Sequence, residues 1–362
     1  MTSWHMGELG EFITLKRGYD LPQQKRKAGC VPIFSSSGIS GTNDTAMVKA
    51  PGVITGRYGT IGRVFWANED FWPLNTTLYV EDFHGNYPLF VYYFLKTLGW
   101  EKFTSASAVP GINRNTVHKE IVCLPDIASQ RRIALLLKTV DDKIEVNEKI
   151  NDNLQQQAAA LFDDCYQQAV TEVRFTEIVQ VLGGGTPKTS ESPYWNGSIP
   201  FFTPKDVGSP YTLSTEKTIT EDGLAHCNSR LYPVNTVFVT ARGTVGKVGM
   251  SGAPMAMNQS CYALVGKDTH QLLVYFYTLK AVDRLKHKAS GAVFDAITTR
   301  DFESEEIMKL SADGAKKFLH IAEPMYQAIL SNSIETLRLA TLRDALLPKL
   351  MSGEIDVSDI QL

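Results

Sequence analysis

The chain has 362 residues, of which 43% are hydrophobic and 21% charged, enough for more than one domain with a real core in each. A formal net charge of −3 excludes a bulk-basic nucleic-acid protein, so any case for DNA binding rests on local features. The five cysteines (Cys30, Cys123, Cys165, Cys227 and Cys261) are odd in number, scattered and free of Cys-x-x-Cys pairs. With no apolar signal core in Met1–Glu8 and no apolar run long enough to span a bilayer, they lead us to expect a cytoplasmic protein that is not inserted in a membrane.

Residues 1–125 are short apolar runs punctuated by Gly, Pro, Asn and Ser. Val53-Ile54-Thr55 has strand composition, the glycines around 59 predict a tight turn, and the run at Tyr92 predicts a short helix. From Asp126 to about Ala169 there is neither Pro nor Gly, and apolar residues recur by fours and threes at Ile133, Leu137, Val140, Ile144, Leu154, Ala158 and Leu161. Asn147 and Asn151 fill the missing slots. This is a heptad seam on one helix, a rod of roughly 60 Å. Residues 171–311 return to the first pattern, with a strand at Val237-Phe238-Val239-Thr240, a turn at Gly243 and a helix at Tyr275. Residues 312–362 return to the second. Their seam runs through Phe318, Ala322, Met325, Ile329, Asn332, Thr336, Leu339, Leu346 and Leu350, with Arg343 in one slot. Pro324 is expected to kink this helix or mark its start, and Pro348 with Gly353 to end it.

The return is a duplication. Val31-Pro32-Ile33-Phe34 recurs as Ile199-Pro200-Phe201-Phe202, Gly59-Thr60-Ile61-Gly62-Arg63-Val64 as Gly243-Thr244-Val245-Gly246-Lys247-Val248, Asn75-Thr76-Thr77-Leu78-Tyr79 as Asn258-Gln259-Ser260-Cys261-Tyr262, and Leu89–Phe94 as Leu272–Tyr277. The last three pairs share a shift of about 184 residues and the first a shorter one, so the second copy carries an insertion after Phe202. Each copy is therefore an α/β (α+β) globular domain followed by a long helix: domain 1–125 with helix 126–170, and domain 171–311 with helix and tail 312–362. A rod with one apolar stripe needs a partner, so the two helices are expected to pair as an antiparallel coiled coil in a pseudo-twofold arrangement, with Asn147 and Asn332 fixing register at some cost in stability.

Catalytic motifs are missing. There is no Pro-Pro for an amino-methyltransferase loop and no Gly-x-Gly-x-x-Gly. Ala241–Val248 is a broken phosphate loop, with Ala and Val where Gly and Ser/Thr are required. Pro125-Asp126 followed by Asp141-Asp142-Lys143 imitates a nuclease pattern, but Asp141 and Lys143 fall on the outward side of a heptad helix. Gly183-Gly184-Gly185 reads as a flexible turn, the histidines lack metal-ligand spacing, and the aromatic runs at Tyr92 and Tyr275 read as core.

The duplicated plan, the Arg-x-Gly-Thr-x-Gly-x-Val type turns and the closing Leu342-Arg-Asp-Ala-Leu-Leu-Pro-Lys-Leu-Met-Ser-Gly-Glu-Ile355 resemble the specificity subunits of type I restriction-modification systems. The resemblance covers the whole chain. It implies that each globular part is a target-recognition domain reading one half of a split duplex-DNA target, that the helices act as a ruler, and that two modification (methyltransferase) subunits dock, carrying the S-adenosylmethionine, with restriction (motor-nuclease) subunits joining them. No cofactor or metal and no catalysis are expected on this chain.

On that reading, phosphate contacts fall to loop cations: Lys16, Arg17, Lys25, Arg26, Lys27, Arg57, Arg63 and Arg114 in the first domain, and Lys188, Lys205, Arg242, Lys247 and Arg300 in the second. Base edges fall to Ser36, Ser37, Asn113 and Asn115, and to Thr203, Asp206 and Thr298. Two rival readings are an atypical DNA methyltransferase and a duplicated non-catalytic scaffold for RNA or peptide.

Overall fold

The computed structural model describes residues 3–104, 110–208, 210–288 and 296–358. The chain forms two compact units, Met1–Lys143 with Arg338–Leu362, and Ile144–Leu337.

The first unit contains β1 (Trp4–Glu8), α1 (Leu9–Phe12), β2 (Thr14–Arg17), β3 (Val31–Ser35), β4 (Gly38–Asn43), β5 (Gly52–Gly56), β6 (Val64–Ala67), β7 (Trp72–Pro73), β8 (Thr77–Asp82), α2 (Pro88–Thr97), α3 (Arg114–His118), β9 (Ile121–Pro125) and the start of α4 (Ile127–Gln167). Its strands form a sheet in the order β2-β8-β5-β6, a smaller sheet β4-β3-β7, and the pair β1-β9. β5 is buried along its whole length, which suits the β-branched Val53, Ile54 and Thr55. Phe90, Tyr93, Phe94 and Leu95 of α2 pack into the core with Leu15, Val53, Leu78 and Val80. Each fully buried side chain of this kind contributes about 1.5–3 kcal/mol.

The second unit repeats the plan with β10 (Thr171–Arg174), α5 (Phe175–Ile178), β11 (Val179–Gly183), β12 (Trp195–Phe202), β13 (Tyr211–Thr212), β14 (Thr218–Ile219), α6 (Glu221–Ala225), β15 (Val237–Thr240), β16 (Val248–Ser251), β17 (Ala256–Met257), β18 (Cys261–Gly266), α7 (Gln271–Lys288), α8 (Thr299–Ser304), β19 (Glu306–Lys309) and most of α9 (Ala312–Met351). Its sheets are β11-β18-β15-β16-β13, β14-β12-β17 and β10-β19. The matching order is the duplication read from the sequence. The inserted residues after Phe202 supply β13 and α6. Tyr275, Phe276 and Tyr277 are core, as expected; Tyr92 is only half-buried, while Tyr93 beside it is 1% exposed.

The long helices pair antiparallel within each unit. In the first, Ile133, Ala134 and Leu137 of α4 share a core with Leu350 and Met351 of α9, and Arg343 Nη1 donates to Asp141 Oδ1 at 2.8 Å. In the second, Phe162 packs on Phe318, and Asn147 Nδ2 donates to Glu335 Oε2 at 2.8 Å. Ile133, Leu137, Asn147, Phe318 and Ile329 are buried; Val140, Ile144, Leu154, Leu161, Met325, Asn332, Leu339 and Leu346 are half-buried. Phe162, one place beyond the expected Leu161, is the fully buried knob.

Four expectations change. α9 runs through Pro324 and through Pro348. Pro324 removes one N–H, leaving the His320 carbonyl without its intrahelical donor, and does not stop the helix. The end comes at Gly353, which has φ +77 in the left-handed C-terminal position. Asp141 is not a solvated surface residue: besides Arg343 it accepts from Tyr93 Oη at 2.6 Å, so it ties α2, α4 and α9 together. The polar seam forms a hydrogen-bonded network that its sequence did not announce: Asn332 Nδ2 donates to Asn151 Oδ1 at 2.9 Å and Asn151 Nδ2 to Ser333 Oγ at 3.2 Å. Finally, the triple glycine is a close approach of backbones: a Cβ at Gly184 would lie 2.2 Å from the Asn258 carbonyl oxygen.

Candidate nucleic-acid interface

Three segments meet in each unit. In the first they are the β5–β6 turn, the β3–β4 turn and the segment entering α3. The β5–β6 turn needs Gly59 and Gly62, at φ +72 and +75. It lies against the β3–β4 turn, since a Cβ at Gly59 would meet Ser36 Oγ at 3.4 Å. It is stapled to the third segment by Ile112 N–H donating to the Arg57 carbonyl at 3.1 Å, by Arg57 Nε–H donating to the Ile112 carbonyl at 3.2 Å, and by the Tyr58–Gly111 bridge. Ser36, Ser37, Arg57, Arg63, Asn113, Arg114 and Asn115 are thus gathered around one turn.

The second unit repeats this. Gly243 and Gly246 have φ +82 and +74. Thr244 Oγ1 donates to the Pro204 carbonyl at 3.3 Å, Ile297 N–H to the Ala241 carbonyl at 2.9 Å, and Arg242 bridges Ala296. Thr203, Lys205, Asp206, Arg242, Lys247, Thr298 and Arg300 are gathered in the same way; Ser209 of the 203–210 loop lies outside the described residues.

Arg63 in the first unit therefore occupies the place of Lys247 in the second, while Arg57 and Arg114 lie one residue before the places of Arg242 and Arg300 on the matching segments. None of the six makes an ion pair with a described residue. Arg57 and Arg63 instead lie over the rings of Tyr58 and Phe65, at 4.6 and 5.3 Å. Such stacking holds a cation in place without neutralising it. Six unneutralised cations on equivalent turns are suited to phosphate.

The other cations are more committed. Lys16 pairs with Glu81 at 2.5 Å, Arg17 with Asp20 at 3.8 Å, Lys27 with Asp44 at 3.7 Å and Lys205 with Glu216 at 3.7 Å. The Glu81 carboxylate holds the Lys16 ammonium above its usual pKa. Arg26 Nη1 donates to the Ser40 carbonyl at 3.1 Å; Lys25 and Lys188 are exposed. Several polar candidates have local partners. Asn113 caps α3 by accepting from Asn115 N–H at 3.0 Å. Thr298 forms a capping box with Asp301. Asp206 accepts from Thr203 Oγ1 at 2.6 Å and from Glu216 N–H at 2.8 Å. Ser36 and Ser37 lie on the β3–β4 turn, where the Ser37 hydroxyl is 3.0 Å from that of Ser35. Lys96 of α2, beside the same surface, was not singled out by its sequence, because it ends an apolar run that reads as core.

No described helix is long and apolar enough to cross a membrane, and all five cysteines are free thiols. Residues 1–156 and 168–332 each match the type I restriction modification DNA specificity domain, and the chain belongs to that family. It is 30% identical over 150 residues to the type I restriction enzyme MjaIX specificity subunit of Methanocaldococcus jannaschii, a match covering 40% of this chain and 35% of that protein. It is 23% identical over 327 residues to the HindI specificity subunit of Haemophilus influenzae, covering 68% of this chain and 71% of the relative. The fold is similar to the crystal structure of a type I restriction-modification S subunit from M. genitalium, with TM-score 0.70, 16% identity, and coverage of 99% of this chain and 97% of that one.

Proposed function

We propose that this chain reads a bipartite, asymmetric DNA target for a type I restriction-modification complex, each unit reading one half-site. The observation that carries the reading is that each unit gathers three cations, Arg57–Arg63–Arg114 and Arg242–Lys247–Arg300, around matching turns and without described carboxylate partners. Equivalent scaffolds grip phosphate in the same way, while the dissimilar loops beside them, Ser36-Ser37 and Thr203, present different groups to the bases. The paired helices set the spacing between the half-sites and dock two modification subunits, and restriction subunits join that complex. The chain is non-catalytic; S-adenosylmethionine and the methyl transfer belong to the modification subunit. Free thiols fit a cytoplasmic protein.

The test is to map methylated adenines in the DNA of cells carrying this chain with its modification subunit. Ser37→Ala should relax or change one half-site and Thr203→Val the other, each leaving the opposite half intact. Modification that does not depend on the chain, or variants that change both halves together, overturns the reading.

A further inference from the structure

In the first unit the main sheet ends on β6, and no described strand pairs with its outer edge. In the second unit the equivalent edge is covered. β13 pairs with β16, with Met250 N–H donating to the Pro210 carbonyl and Gly252 N–H to the Thr212 carbonyl, both at 2.7 Å. β13 lies in the inserted stretch that the first unit lacks. Along the bare β6 edge runs an open cleft of about 780 Å³. Ser37 and Arg63 lie at the reading turns, Phe65 and Trp66 come from β6, and Tyr92 and Lys96 from α2. No carboxylate lines it. The Lys96 ammonium lies 4.3 Å from the Tyr92 ring centroid, Arg63 stacks on Phe65, and neither cation makes an ion pair with a described residue.

The second unit commits lysines of its corresponding helix, α7, elsewhere. Lys280, the lysine on α7 nearest to the place of Lys96, pairs with Asp163 at 2.7 Å. Lys286 Nζ donates to the Gly246 carbonyl at 2.9 Å.

We infer that the cleft along β6 is an additional phosphate-binding site, in which Lys96 and Arg63 hold the DNA backbone beside the reading turns of the first unit, and that the second unit has no counterpart to it. The inference rests on the DNA-reading function proposed above. Two cations held over aromatic faces with no facing acid suit a polyanion better than a peptide strand, whose backbone is neutral. The cleft is also continuous with the reading surface, because Arg63 and Ser37 belong to both. A phosphate contact adds affinity without sequence information, so the first half-site is gripped more firmly than the second whatever its bases.

The test uses the complex assembled from the full chain and its modification subunits, measuring duplex binding against salt concentration. Each lost phosphate contact lowers the slope of log K on log salt by about 0.9. Lys96→Gln should lower it by about that amount, Arg63→Gln with Lys96→Gln by about 1.8, and Lys96→Arg should restore it. The preference for target over non-target duplex should not change. Lys280→Gln should leave the slope alone. An unchanged slope in Lys96→Gln, with wild-type complex still choosing its target, overturns the cleft and leaves the function standing. A changed target preference makes the cleft a base reader, and loss of modification-subunit binding at unchanged slope makes it a protein dock; either overturns the inference. A wild-type complex with no target preference overturns the function and the inference together.

Discussion

His118 shows how a single side chain conditions the first reading surface. It ends α3, the helix that carries Arg114, and its Nε2 accepts the Leu15 N–H of β2 at 2.9 Å. Only the neutral imidazole has that acceptor. Burial, and then the nearby positive charge of Arg114 and the ring of His84, hold its pKa below the usual value. A histidine with a depressed folded pKa contributes stability that is present above its unfolded value, roughly 6.5, and lost as pH falls through the folded value. The urea midpoint of the chain should therefore drop as the buffer goes from about pH 7 to about pH 5. His118→Gln, which keeps an acceptor but cannot titrate, should flatten that drop; an equally steep drop in the variant would place the titration elsewhere. At this scale the sequence is readable in part. Loop cations around paired glycines pointed to the turns that do gather Arg57 and Arg114. Residue type does not separate a base reader from a cap, because the same side chain serves both: Asn113 and Asp206 accept from local donors, and Thr298 donates to Asp301. Lys96 was hidden because a cation at the end of an apolar run reads as the edge of a core helix.

The helices were legible as elements, since a proline-free heptad run has few other solutions. Their polar contents were not. From the seam alone, Asn147 and Asn332 look like a register device that Leu would improve. In the structure Asn332 donates to Asn151, Asn151 to Ser333 and the Ile329 carbonyl, and Asn147 to Glu335. Replacing Asn147 and Asn332 with Leu strips a donor from the Asn151 oxygen and another from the Glu335 carboxylate. The expected sign reverses: the double variant should lose about 1–3 kcal/mol for the buried Asn151 oxygen, and a thermal melt should show a lower midpoint. A higher midpoint would mean that water replaces these partners without cost. Pro324 does not mark the start of α9, for a related reason. A proline is a breaker when a helix stands alone, but here Phe318, Ala322, Tyr326 and Ile329, on both sides of it, are buried in one core. That packing outweighs the one hydrogen bond the ring removes.

For the whole molecule, the proposed function makes helix length the determinant of the gap between half-sites. The two units meet in sequence between Lys143 and Ile144 on α4 and between Leu337 and Arg338 on α9. Lengthening α4 alone would shift its side chains against α9 and break either the Asp141–Arg343 contact of the first unit or the Asn147–Glu335 contact of the second. Adding seven residues at both junctions, with the heptad pattern kept, leaves each unit's own contacts in register. It extends each helix by about 10 Å at 1.5 Å per residue. Duplex DNA rises 3.4 Å per base pair along each strand, so the non-specific spacer should grow by roughly three base pairs. Both half-sites should keep their sequences, because no reading turn is altered. The added length also rotates one half-site about the duplex axis relative to the other, which should weaken binding even at the preferred spacer. Insertions of four residues at the same junctions put the seam out of phase, so they should cost more modification activity than the heptads do. The readout is the methylated sequence recovered from cells carrying each variant with the modification subunit. Half-sites that change while the spacer stays fixed would show that the helices do not set the spacing.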